Sequence, residues 1–233
     1  MTLSLAEAKR FSVVNEDYNP SYVTPVLYRY TVRNVFAPIP SGGSGGDSSY
    51  SREGAEIVDP LLKLKWTCRV NFGSNFPANY GTWYFHVYLI ASIDLDTFPS
   101  TGVNVYPAIG GASDPGWFLN PDGARPTLNG NNVRVLKAWH RKYTPDQIAY
   151  GAATGVTPTV AGSVDITGGM SYRWRRKLTF QDSTSGAPNF TTSVYLRGMN
   201  YFILAGWSSS ATTVPTASRP VFAMDSFLYW KDP

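Results

Sequence analysis

Arg173, Arg175 and Lys177 recur at every second residue, while Tyr172, Trp174, Leu178 and Phe180 fall on the opposite side. Only Arg176 breaks the alternation. A period of two is that of a β-strand, whose successive side chains leave opposite faces. Cations spaced this way form one charged face, and the chemistry open to them is electrostatic: holding phosphates. Arg29 and Arg33 lie on a similar face, with Thr31, opposite Tyr28, Tyr30 and Val32. Lys63, Lys65 and Arg69 oppose Leu62, Leu64, Trp66, Cys68 and Val70. Tyr84, His86 and Tyr88 offer flat rings, and stacking a base on such a ring is worth roughly 1–3 kcal/mol whatever the base. For each set the plain alternative is a solvated strand face, whose charges also discourage unwanted strand pairing.

Catalytic chemistry has little to work with. His86 and His140 are the only histidines, and neither has a partner at metal-ligand spacing. No G-x-S-x-G elbow occurs. Asp94 and Asp96 lack the third ligand and the glycine of a calcium loop, so they read as a turn. The single cysteine, Cys68, excludes an internal disulfide framework and a cysteine zinc site. On the apolar face of its strand it reads as a buried, inert thiol. Asn189-Phe190-Thr191 is a formal glycosylation sequon. No enzymatic activity, metal or cofactor is expected.

The elements that carry these residues are strands. Alternation marks residues 22–36, 61–72, 83–93, 132–143, 171–181, 192–207 and 220–230, with Val103 to Tyr106 as a shorter candidate. Residues 83–93 are apolar or aromatic on both faces, which predicts a central strand covered on both sides. Residues 94–130 form an excursion too long for an ordinary connection and are expected to carry surface function. The glycine- and serine-rich stretch 41–49 reads as a loop inside one domain, and residues 145–153 offer one helical turn. About eight strands without a βαβ rhythm predict an all-β protein, a single jelly-roll β-sandwich of two four-stranded antiparallel sheets with long loops.

Composition agrees. The chain has 233 residues, 43% hydrophobic and 15% aromatic, with seven Trp and fifteen Tyr. These suit pleated surfaces, and 21 Gly and 17 Pro supply the turns. The net charge is +4, yet between Arg134 and Lys177 eight Lys and Arg face only Asp146 and Asp165. That imbalance favours an anionic partner. No run approaches the roughly 18 apolar residues of a membrane span. The opening MTLSLAEAKRF has no apolar stretch of the kind found in a secretory leader, so action inside a cell is expected.

An ordered set of short motifs runs from about Tyr22 to the end. Pro38-Ile39-Pro40 precedes glycines, the R-x-G-x-x-I form of Arg52 to Ile57, and the basic alternating strand at Leu62 to Val70. Arg134-Val135-Leu136-Lys137 then leads into Trp139-His140-Arg141-Lys142. Tyr201 to Ser209 is an apolar run ending W-S-S, and Phe227 to Asp232 closes on aromatic and charged residues. Taken together the set resembles the capsid proteins of circular, Rep-encoding single-stranded DNA viruses, the circovirus-like group.

The resemblance implies a coat protein that assembles with copies of itself into a small T = 1 icosahedral shell around a single-stranded DNA genome. Its place would be the virion, and the host nucleus or cytoplasm during assembly. Residues 1–21 would form a short N-terminal arm and 22–233 the jelly-roll domain. Such arms are arginine-rich in the family, and this one offers only Lys9 and Arg10. The strands at 22–36, 83–93, 171–181 and 220–230 would share the sheet facing the genome. Arg29, Arg33, Arg173, Arg175 and Lys177 would then hold phosphates, with Tyr84, His86 and Tyr88 stacking on bases. Lys63, Lys65 and Arg69 would lie on the other sheet, as candidates for a host glycan receptor. Phe76, Tyr80, Tyr106, Trp117 and Phe118 would be buried at subunit contacts, the alternative being packing on their own sandwich. Competing readings are a coat for a small RNA genome and a carbohydrate-binding module built on Trp117, Asn120 and Asp122. A cupin-type enzyme would need clustered histidines.

Overall fold

The apolar face of Leu62 to Val70 is the centre around which the chain folds. In the computed structural model, which describes residues 8–18, 28–39, 55–72, 82–93, 104–106, 110, 114–144, 162–180, 195–210 and 220–232, this face belongs to the 17-residue strand β3 (Glu56–Phe72). Leu62, Leu64, Trp66, Cys68 and Val70 are buried while Lys63, Lys65 and Arg69 are exposed. The other strands are β1 (Ala8–Asp17), β2 (Tyr28–Asn34), β4 (Trp83–Ser92), β5 (Asn104–Val105), β6 (Phe118–Asn120), β7 (Thr127–Leu128), β8 (Val133–Tyr143), β9 (Gly162–Arg173), β10 (Lys177–Thr179), β11 (Asn200–Ser209) and β12 (Val221–Lys231). All pairings between them are antiparallel, and the described residues contain no helix. The protein is all-β.

Two five-stranded sheets pack face to face. The first runs β1-β12-β3, with both β9 and β10 on the far side of β3, and the second runs β5-β2-β11-β4-β8. Between them the Phe85 and Phe222 ring centroids are 6.1 Å apart, and those of Trp66 and Trp139 5.2 Å. Four strands per sheet were expected. The first gains one because β3 is long enough to pair β9 and β10 end to end. The second gains β5 at the edge of β2.

Sheet membership differs from expectation. β2 and β4 belong with β11 and β8, not with β9, β10 and β12. The cause is β1, which lies in the segment expected to be an arm. Its inward positions include Lys9, so its alternation is weak, and leaving it out shifts the following strands to the wrong sheet. β3, with Lys63, Lys65 and Arg69, therefore shares a sheet with Arg173 and Lys177.

A bulge interrupts β3 at Asp59-Pro60. Asp59 has φ 53°, a left-handed conformation that Asp tolerates better than most residues, and Pro60 has no N–H for the ladder. Beside it, β12 slips register between Tyr229 and Lys231. On the other side Trp174 N–H donates to the Pro60 carbonyl at 2.9 Å, and Asp59 N–H to the Arg176 carbonyl at 3.1 Å. Residues 174–176 thus separate β9 from β10, which is why Arg176 breaks the alternation.

A second core covers the outer face of the second sheet. Tyr106, Trp117 and Phe118 pack there on Tyr30, Val32, Tyr88, Ile90, Phe202 and Leu204. The Tyr106 hydroxyl donates to Asp114 at 2.6 Å and accepts from Trp117 N–H at 3.0 Å. Tyr30 donates to the Pro121 carbonyl at 2.6 Å and Ser208 to that of Gly123 at 3.0 Å. β4 is therefore covered on both faces, as its sequence predicts. Phe76, Tyr80, Asp94, Asp96, the stretches 41–49 and 145–153 and the sequon at 189 lie outside the described residues.

Candidate nucleic-acid interface

On β12, Phe222, Met224, Leu228 and Trp230 turn inward and are buried. Strand alternation then sends Phe227 and Tyr229 to the outer face of the first sheet, where both are half-buried. β1 sets Arg10 opposite Tyr229, and β3 sets Lys63 opposite Phe227. The Arg10 guanidinium carbon lies 5.1 Å from the Phe227 centroid and 5.8 Å from that of Tyr229, and Lys63 Nζ lies 5.4 Å from the Tyr229 centroid. These distances are within the reach of cation–π attraction. The result is a pair of rings flanked by a cation on each side. Phosphates and bases together fit such a surface.

The charged face continues from there. Lys65 and Arg69 extend it along β3, and Arg173 and Lys177 along β9 and β10. Three of these cations already hold carboxylates. Arg69 makes two bonds to Asp165, at 2.8 and 3.0 Å. Arg173 makes two to Asp59, at 3.0 and 2.8 Å, and Lys177 reaches Glu56 at 2.6 Å. Hydrogen bonding to Arg69 lowers the Asp165 pKa, and hydrogen bonding to Lys177 lowers that of Glu56. Exposed pairs of this kind are weak and open to exchange with phosphate. Among the described residues Arg10, Lys63 and Lys65 hold no carboxylate in an ion pair. Asp225, opposite Lys65 in register, instead accepts from Asn15 N–H at 2.7 Å.

Other residues read as phosphate or base contacts lie elsewhere. Arg33 is buried on β2 and bonded to Glu16 of β1. Burial lowers its pKa to about 10. Arg29 is half-buried on the same strand. Lys9 is buried against Asp232 at 2.9 Å. Arg175 is exposed in the bulge beside Arg176. Tyr84, His86 and Tyr88 stand on β4 in the second sheet, and the last two are buried. Tyr106, Trp117 and Phe118, read as subunit-contact anchors, are 6%, 0% and 4% exposed on their own sheet, so their burial needs no partner. Phe227 and Tyr229 were missed, although the alternation of residues 220–230 separates them from the inward set.

His86 and His140 meet Nδ1 to Nδ1 at 2.9 Å. His86 is fully buried, with Tyr30 and Tyr88 stacked on it. Burial, aided by His140, pulls its pKa down to about 3. Burial and Arg125 lower that of His140. Two neutral rings therefore share one proton across the contact at neutral pH. Among the described residues no group of three His, Cys, Asp or Glu is placed to hold a metal ion. No protein-family model matches the chain, and no curated protein matches it significantly in sequence.

Proposed function

We propose that the chain is a structural coat subunit, a jelly-roll sandwich that self-assembles into a small closed shell around single-stranded DNA. The strand order supports the jelly-roll part. The first long strand, β1, pairs with the last, β12, and the chain crosses between sheets as two nested Greek keys require. β5, β10 and the separate β6-β7 pair are then additions to an eight-stranded frame. The outer face of the first sheet would line the interior of the shell. The observation that carries this reading is the group formed by Arg10, Phe227, Tyr229 and Lys63, cations and rings interleaved on one flat surface. Such a surface takes a flexible strand without reading its sequence. In this arrangement Lys63, Lys65 and Arg69 serve the nucleic acid in place of a receptor. The carbohydrate-binding alternative is weakened, since Trp117 is fully buried and offers no platform.

Negative-stain electron microscopy of the purified protein at near-physiological salt tests the proposal. Uniform closed particles are expected, and their ultraviolet absorbance ratio reports the enclosed nucleic acid. A strictly monomeric protein across salt and pH would overturn it.

A further inference from the structure

At one border of the sandwich, β8 of the second sheet and β9 of the first leave between them a cavity of about 370 Å³. Its wall has two chemistries. Arg134, Arg173, Arg175 and Arg176 line it. Leu136 and Tyr172, both half-buried, and Met199, which is 41% exposed, form an apolar side. Among the described residues, no carboxylate or side-chain amide lines it.

The bulge at Asp59-Pro60 builds this corner. Trp174 continues the inward alternation of Tyr172 and is 3% exposed, and the break between β9 and β10 leaves Arg175 and Arg176 exposed beside Arg173. Arg173 is held from the far side by Asp59. Arg176 bonds to the Tyr201 hydroxyl and lies 5.9 Å over that ring. Arg134 and Arg175 are exposed and make no ion pair among the described residues. With Arg173 held by Asp59 and Arg176 by Tyr201, Arg134 and Arg175 are the cations of the lining left for an oxyanion.

We propose that this cavity binds a nucleoside phosphate, with the phosphate on Arg134 and Arg175 and the base against Tyr172, Leu136 and Met199. Guanidinium forks match phosphate oxygens in pairs. An inorganic anion would leave the apolar side unused. A sugar would find no carboxylate or amide to accept from its hydroxyls. A nucleotide uses both sides, and the volume is within the ~300–1,000 Å³ of ordinary ligand pockets. Arg10 and Lys63 take no part in the lining, so the site holds its ligand whether or not the chain forms shells.

Calorimetric titration of the purified protein with dTMP, thymidine, inorganic phosphate and pentathymidylate tests this. Saturable binding of dTMP is expected, at least tenfold tighter than of thymidine or inorganic phosphate. The double variant Arg134→Gln/Arg175→Gln, with a melting temperature close to that of the parent, should lose at least tenfold in affinity. Met199→Ser should weaken dTMP and not inorganic phosphate. If pentathymidylate alone saturates and the Arg134/Arg175 variant abolishes it, the ligand is a nucleotide within a strand. Equal affinity for phosphate and dTMP, or dTMP binding indifferent to the double variant, would overturn the assignment.

Discussion

Lys9 Nζ lies 2.9 Å from the Asp232 carboxylate, with both side chains closed off from solvent. The same carboxylate accepts from the Trp230 indole N–H at 3.0 Å. One carboxylate thus ties β1 to the end of β12. A charge removed from such a pair leaves its partner buried and uncompensated, which typically costs about 3–5 kcal/mol. Asp232→Ala should destabilise the protein by that order in chemical denaturation. Lys9→Met combined with Asp232→Ala should recover much of the loss.

The histidine pair makes stability depend on pH. Unfolded, His86 takes up a proton near pH 6.5; folded, it stays neutral until about pH 3. The unfolded state therefore binds more protons between these values, and stability falls as pH drops through 6.5 towards 3. For His86 alone the loss at pH 5 is about 2 kcal/mol. Urea denaturation at pH 7 and pH 5 measures it. A His86→Phe variant should show a flatter dependence.

Gly206 on β11 stands opposite Tyr30 in the neighbouring strand β2. A Cβ there would overlap the Arg29 carbonyl oxygen and the Tyr30 ring, and neither backbone nor buried ring yields readily. Gly206→Ala should cost about 1–3 kcal/mol, seen as a fall in melting temperature of about 2–4 °C per kcal/mol.

The two groups of cations on the first sheet should behave differently. Among the described residues Arg10, Lys63 and Lys65 hold no carboxylate in an ion pair, whereas Arg173 and Lys177 each hold one. Replacing the first three with Ala should lower the affinity for oligothymidylate more than replacing Arg173, Arg175 and Lys177. Its salt dependence should fall by about 0.7 in log–log slope for each phosphate that is no longer neutralised. Tyr229→Ala should weaken binding by about 1–3 kcal/mol without changing that slope. Filter binding over a salt series separates the two effects.

The all-β character was legible because Leu62 to Val70 and Phe222 to Trp230 alternate cleanly, and burial follows that alternation. The sheet arrangement was not, and the reason is local. β1 turns Lys9 inward, where only a partner distant in sequence, Asp232, makes burial tolerable. Arg33 misled in the same way: its strand periodicity was right, but Glu16 on the opposite sheet turned a phosphate candidate into a buried pair. The aromatic loop residues were ambiguous for another reason. Trp117 and Phe118 need an apolar surface, and composition does not say whether that surface belongs to the same chain or another. Here Tyr30, Tyr88 and Phe202 supply it.

Ala8 and Lys231 stand opposite each other in adjacent strands, which places them only about 5 Å apart. The chain therefore enters and leaves the sandwich through one doorway. Peptides joined to Ala8 and to Lys231 would start from the same corner. A short bridge between them would close the chain into a ring, freeing new ends to be opened elsewhere with every strand still beside its present neighbours.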